Sequence, residues 1–173
     1  MNVGAPSRPL LLALSIASCA ATGCAGAAAE GGHAQTAPLM LELTDISGRP
    51  FGVEDRRGKP LLLFVFATYD SASQIALLTL ERFAQQNADV AVIGVAAQPQ
   101  AERLLPLHRD TLNIRIPLAY DSREQLIKGH SALGRIDVIP SYVMLDAGGH
   151  VRARHAGALD HTGVEQLVSR ARN

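Results

Sequence analysis

The two thiols of this chain, Cys19 and Cys24, both lie in the first 24 of its 173 residues. Beyond them there is no thiolate nucleophile, no means of forming an internal disulfide and no thiolate zinc site. Six histidines remain as candidate ligands or bases: His33, His108, His130, His150, His155 and His161. None forms the i, i+4 helical pair of a zinc hydrolase. His150 and His155 flank one candidate strand at an odd separation, which points them to opposite faces. They read as solvated surface residues, and no metal and no cofactor is expected. There is no Gly-x-Ser-x-Gly elbow and no phosphate-binding loop. Nothing in the spacing of Ser73, His130 and Asp137 supports a triad, so no catalytic residue is expected. The formal net charge is zero, from 16 basic and 16 acidic residues, and gives no electrostatic reason to expect nucleic acid as a partner.

The cysteines instead belong to a segment with the marks of export. Arg8 is the only charge before Glu30, and the apolar run Pro9 to Ala17 follows it. That is a basic n-region and a hydrophobic region too short to span a bilayer comfortably as a helix. Ile16-Ala17-Ser18-Cys19 resembles a bacterial lipobox, and Ala21-Thr22-Gly23-Cys24 resembles one less closely at its first position. The resemblance implies acylation of Cys19, with Cys24 as the alternative, and a membrane partnership through the lipid. Neither cysteine is followed by Asp, so nothing marks inner-membrane retention; in a Gram-negative cell the outer membrane is favoured. The expected division is a signal peptide and lipobox over 1–24, a flexible Ala/Gly-rich tether over 25–38, and one folded domain over 39–173.

Within that domain, strand and helix signals alternate. Leu39 to Thr44 reads as a strand, with turn residues Asp45 to Pro50 and a hairpin partner at Phe51 to Glu54. Arg56-Arg57 belongs to a solvated loop. Leu61 to Ala67 is a continuous apolar run, the pattern of a strand buried on both faces. Asp70 to Gln74 opens a helix to about Gln86, with Ser71 and Gln74 at capping-box spacing and an apolar stripe at Ala76, Leu80 and Phe83. Val90 to Ala96 is a second buried strand. A helix follows from Pro99 to about Leu105, its end strained by Pro106. Further elements are a strand at Ile114 to Ala119, a helix from Asp121-Ser122 to about Ser131, and strands at Ser141 to Leu145 and Val151 to His155. The last two are joined by the turn Ala147-Gly148-Gly149. A final helix starts at the capping box Thr162 to Glu165. The class is α/β, with a central mixed sheet flanked by helices and an N-terminal β-hairpin.

The order of these blocks resembles a known family. Leu43-Thr-Asp-Ile-Ser-Gly-Arg-Pro-Phe51, followed by Arg57-Gly-Lys-Pro-Leu-Leu-Leu-Phe-Val-Phe-Ala-Thr-Tyr69, is similar to the opening of thioredoxin-fold proteins of the TlpA and AhpC/TSA (redoxin) type. Ile116 to Asp121 resembles the family's next strand and acidic turn. Ile139-Pro140 through Val151 resembles its proline, strand and hairpin, and Gly157 its following glycine. The resemblance implies a thioredoxin-like fold from about Leu39 to the C-terminus, with Pro140 in the cis form beside the active site and Ile139 exposing its backbone to bound polypeptide.

It also implies a Cys-x-x-Cys where this chain has Asp70-Ser71-Ala72-Ser73. Asp70 stands in place of the exposed nucleophile and Ser73 in place of the resolving thiol. A peroxiredoxin register puts its cysteine near Ser71, which is no thiol either. Copper carriers of the Sco type share the fold, but they bind through a cysteine pair, and their histidine position falls at Val138-Ile139-Pro140 here. The expected function is non-redox: binding or scaffolding an envelope protein or peptide. The alternatives are the family's own thiol–disulfide or peroxide chemistry and, third, a metal or small-ligand carrier using the groove near Asp70 and Pro140.

Overall fold

The computed structural model describes Met1 and residues 37–172. The expectations for Cys19, Cys24, His33 and the signal segment lie outside the described residues.

The elements in chain order are β1 (Glu42–Asp45), β2 (Pro50–Gly52), β3 (Leu61–Phe66), α1 (Ser71–Gln86), β4 (Ala91–Ala96), α2 (Ala101–Leu112), β5 (Leu118–Tyr120), α3 (Gln125–Lys128), β6 (Ser141–Leu145), β7 (Val151–Ala156) and α4 (His161–Arg172), with a 3-10 turn at Val53–Arg56. The strands form one mixed sheet in the order β2-β1-β5-β4-β3-β6-β7. β3 runs parallel to β4, and β4 to β5; β6 runs antiparallel to β3 and to β7. The N-terminal hairpin pairs through β1 with β5.

All six residues of β3 are buried, which is why its sequence reads as an unbroken apolar run. Its alternate residues serve two cores. Leu62, Phe64 and Phe66 pack with Leu77, Leu80 and Phe83 of α1, Leu105 of α2 and Leu167 of α4. Leu61, Leu63 and Val65 pack on the other face with Leu41, Leu43, Val53, Leu126 and Leu133. Three helices thus cover one face, and the segment before β1, the 3-10 turn, α3 and the coil after it cover the other.

Five local expectations are corrected. Capping falls one residue earlier than Ser71: the Asp70 carboxylate accepts the Ser73 N–H at 2.7 Å, and Gln74 does not close a capping box but sends its side-chain amide to the Thr68 carbonyl at 2.8 Å. The Thr162 capping box is likewise displaced, because Asp160 accepts the Gly163 N–H at 2.8 Å. α2 does not stop at Leu105 but runs through Pro106 to Leu112. Burial of Ala101 and Leu105 on one side holds the helix together across the one amide that proline lacks. The segment from Ile114 is a strand only from Leu118. The reason is Glu81, a buried carboxylate on α1 that takes the amides of Arg115 and Ile116 at 2.9 and 3.0 Å, so those groups never join the sheet. The helix expected from Ser122 is short, with the Asp121 carboxylate tying the amides of Arg123 and Leu126, and Gly129 ending the turn at a φ of 72°.

The closing hairpin is built around Asp146. Its carboxylate accepts the amides of Gly148 and His150 at 2.9 Å each and the Arg152 guanidinium. Burial pushes its pKa upward, but the His150 amide and ring and the Arg152 charge outweigh it and hold the carboxyl at about 2.

Candidate functional site

The register of β3 against β6 decides where the sequence-marked residues meet. Val65 lies opposite Ser141, and the strands are antiparallel. The loop leaving β3, Ala67 to Asp70, therefore emerges at the same end of the sheet at which Ile139-Pro140 enters β6. The Ile139–Pro140 peptide is cis. The Pro140 carbonyl accepts the Gly157 N–H at 2.8 Å, fastening it to the end of β7, where Gly157 takes a φ of 97°.

The loop after β3 is held by a clasp with no signature in the sequence. The Thr68 amide donates to Oε1 of Gln98 at 2.5 Å, and Gln98 Nε2 donates back to the Thr68 hydroxyl at 2.9 Å. Gln74 takes the Thr68 carbonyl. Gln98 is buried and comes from the turn after β4. The loop is thus fixed by three hydrogen bonds with two side-chain amides, and no sulfur takes part.

Asp70 and Ser73 have different environments. Asp70 is half-buried at the N-terminus of the sixteen-residue helix α1; one carboxylate oxygen accepts the Ser73 amide, and the carboxylate makes no ion pair with any described residue. Ser73 is fully buried, and its hydroxyl has no hydrogen-bond partner. The two side chains, three residues apart on the first turn, thus sit at different depths. Ser71 is exposed and Ala72 half-buried. Tyr69 is 73% exposed beside them, and Val138 is 48% exposed beside Ile139. Ile139 itself is half-buried, and neither its amide nor its carbonyl has a partner among the described residues. Two free backbone groups on one residue can accept an added strand.

Sequence reasoning missed the recess next to this loop. Between the start of α1 and α2 lies a cavity of about 230 Å³ lined by Thr68, Gln74, Leu104, Leu107, His108 and Thr111. His108 stacks on Phe66 with ring centroids 6.0 Å apart, and its Nε2 is buried without a partner. Burial lowers its pKa below the ordinary 6.5. The i, i+3 leucines of α2 were the one available signal, hidden because Pro106 ended the expected helix before Leu107. Of the remaining histidines, His150 pairs with Asp146, His155 lies against the Tyr142 ring at 6.0 Å, and His161 lies within 3.4 Å of Glu165. No group of three or more metal-ligating side chains occurs among the described residues. Asp137 pairs with Arg135, and the Ser73 hydroxyl has no hydrogen-bond partner.

No family profile matches the sequence. Over 131 residues, 74% of each chain, it is 24% identical to the Thioredoxin-like protein YneN of Bacillus subtilis (strain 168). The fold superposes with a TM-score of 0.65 on a thiol:disulfide interchange protein, thioredoxin family protein, from Chlorobium tepidum TLS, at 20% identity, covering 79% of this chain and 95% of that one. With the pneumococcal exposed lipoprotein thioredoxin (Etrx1) from Streptococcus pneumoniae strain TIGR4 the TM-score is 0.62 at 19% identity, over 75% and 98% of the two chains. The fold is thioredoxin-like, and residues 37–172 supply it without a cysteine.

Two measurements test this description. Ser73→Ala removes a buried hydroxyl that satisfies nothing, so it should raise unfolding stability by about 1 kcal/mol, seen as a higher urea midpoint at constant slope. His108 is harder to protonate folded than unfolded, so the unfolded chain binds more protons as pH falls below 6.5. Stability should therefore drop from pH 7.5 toward pH 5.5 and level off below the folded pKa, and the drop should be smaller in His108→Leu. Equal pH profiles for the two proteins would contradict the buried neutral imidazole.

Proposed function

We propose that this chain is an exported, lipid-anchored thioredoxin-fold protein that binds an extended polypeptide of the cell envelope and performs no thiol chemistry. The observation that carries the reading is the contrast at one loop. Everything that positions a redox site is present: the helix N-terminus, the cis proline and the free Ile139 backbone. The atoms that transfer electrons are replaced by the Asp70 carboxylate and the buried Ser73 hydroxyl. Thiol–disulfide exchange requires thiolate attack on a disulfide sulfur, and neither group can form the mixed disulfide.

Polypeptide binding needs only what remains. Ile139 offers one donor and one acceptor, as an edge strand does, and Tyr69 and Val138 offer exposed apolar area on either side. The export part of the reading rests on the basic and apolar start of the chain and the Cys19 lipobox, with Cys24 as the second site. The exposed lipoprotein named among the structural neighbours agrees with it. Among the described residues no helix is long and apolar enough to cross a membrane.

The rival reading, disulfide exchange as in the named interchange protein, is separated by an insulin-reduction assay with dithiothreitol. The wild-type chain should give the uncatalysed rate, whereas the Asp70→Cys/Ser73→Cys double variant should exceed it, because the clasp on Thr68 already holds the loop. Turnover by the wild-type chain would defeat the non-redox reading, and an inactive double variant that folds would show that the loop is not poised for exchange. Anchoring is tested separately by metabolic labelling with a palmitate analogue in a bacterial host. Label and membrane fractionation should both be lost in Cys19→Ala and kept in Cys24→Ala. The opposite pattern moves the anchor to Cys24, and no label in the wild-type chain removes the anchor.

A further inference from the structure

Asp70 is the only formally charged residue between Lys59 and Glu81. The charges after β5 (Asp121, Arg123, Glu124) and after β7 (Asp160) stand at this end of the sheet but two strands from β3; the two nearer segments, Ala97 to Ala101 and Val138 to Leu145, carry no charge. They belong to the same place: Gln98 is hydrogen-bonded to Thr68, and Val65 is paired with Ser141. The charges next along the chain toward β6, Arg135 and Asp137, neutralise each other. The surface at the start of α1 is therefore one carboxylate set in an uncharged frame, with an exposed tyrosine ring as its sequence neighbour.

That carboxylate is held but not neutralised. One oxygen accepts the Ser73 amide, and no lysine, arginine or histidine among the described residues forms an ion pair with it. The chemistry that complements a fixed anion beside an exposed aromatic ring is a cation, which gains from the carboxylate directly and from the ring face. An acidic segment meets uncompensated repulsion at the same point.

We infer that the polypeptide bound at this surface carries a lysine or arginine at the position facing Asp70, so that the substituted nucleophile position reads the partner's charge. This rests on the proposal that Ile139 pairs with an extended segment, and it adds what that segment must contain. The helix cap alone does not call for it, because serine or asparagine caps as well without a charge.

The test uses three fluorescein-labelled peptides that differ at one residue, Gly-Ser-Val-Xaa-Val-Ser-Gly-Ser with Xaa as Lys, Gln or Glu, titrated with the full chain at low and high salt. The lysine peptide should bind tightest, by roughly three- to fivefold over the glutamine one, and the advantage should shrink as salt rises. Asp70→Asn keeps the cap and should erase the preference, and Asp70→Lys should reverse it in favour of the glutamate peptide. Thermal melts confirm that both variants are folded. If the wild-type chain binds all three peptides alike, or Asp70→Asn keeps the lysine preference, the charge inference is wrong while peptide binding stands. If no peptide binds, peptide binding itself fails and takes this inference with it.

Discussion

The structure depends on β3 being unable to slip. Its six residues are buried on both faces and split strictly between two cores, with Leu62, Phe64 and Phe66 toward the three helices and Leu61, Leu63 and Val65 toward the 3-10 turn and α3. Because side chains alternate with period two, moving the strand by one residue against β4 or β6 would exchange the two sets. Phe64 and Phe66 stack at 5.5 Å, and Phe64 meets the Tyr142 ring at 5.0 Å, so an exchanged set would have to place two phenylalanine rings where leucine and valine now fit. A fixed β3 fixes where its last residue ends. It thereby places Asp70 at the start of α1 and Pro140 at the entry to β6, without either residue contributing to the register. The site is a consequence of core packing several residues away.

Much of this was legible in the sequence where the signal was local. The apolar run at Leu61 gave β3, the stripe at Ala76, Leu80 and Phe83 gave α1, and the Ala-Gly-Gly turn gave the last hairpin. What escaped was set by contacts distant along the chain. Glu81 looks like an ordinary helix-surface carboxylate, yet it is buried because two amides 34 and 35 residues away need it, and that same contact removes Arg115 and Ile116 from the expected strand. Gln98 and Thr68 are 30 residues apart and carry no pattern that pairs them. Pro106 misled because its local cost was read without the burial of Leu105 that offsets it. The candidate site was legible as positions and illegible as bonds: Asp70, Ser73 and Pro140 could be named, but their partners could not.

The bonds explain why the scaffold stands without its thiols. In this loop the structural task and the chemical task use different atoms. Position is set by Gln98 and Gln74 acting on the Thr68 backbone and hydroxyl, all neutral hydrogen bonds in a half-buried setting, each contributing on the order of 1 kcal/mol. Reactivity in a Cys-x-x-Cys would come from side chains at 70 and 73, which the clasp does not touch.

The two substituted positions therefore have separate consequences. At 70 the carboxylate takes over a real structural bond to the Ser73 amide, favourable both as a cap and as an anion at the positive end of a sixteen-residue helix. At 73 a fully buried hydroxyl wants a partner and has none. Stability alone accounts for the first and runs against the second. Nor does stability require the first to be charged, since a neutral cap closes the same bond. What the charge adds appears only outside the fold, in the field that Asp70 presents to whatever lies along Ile139.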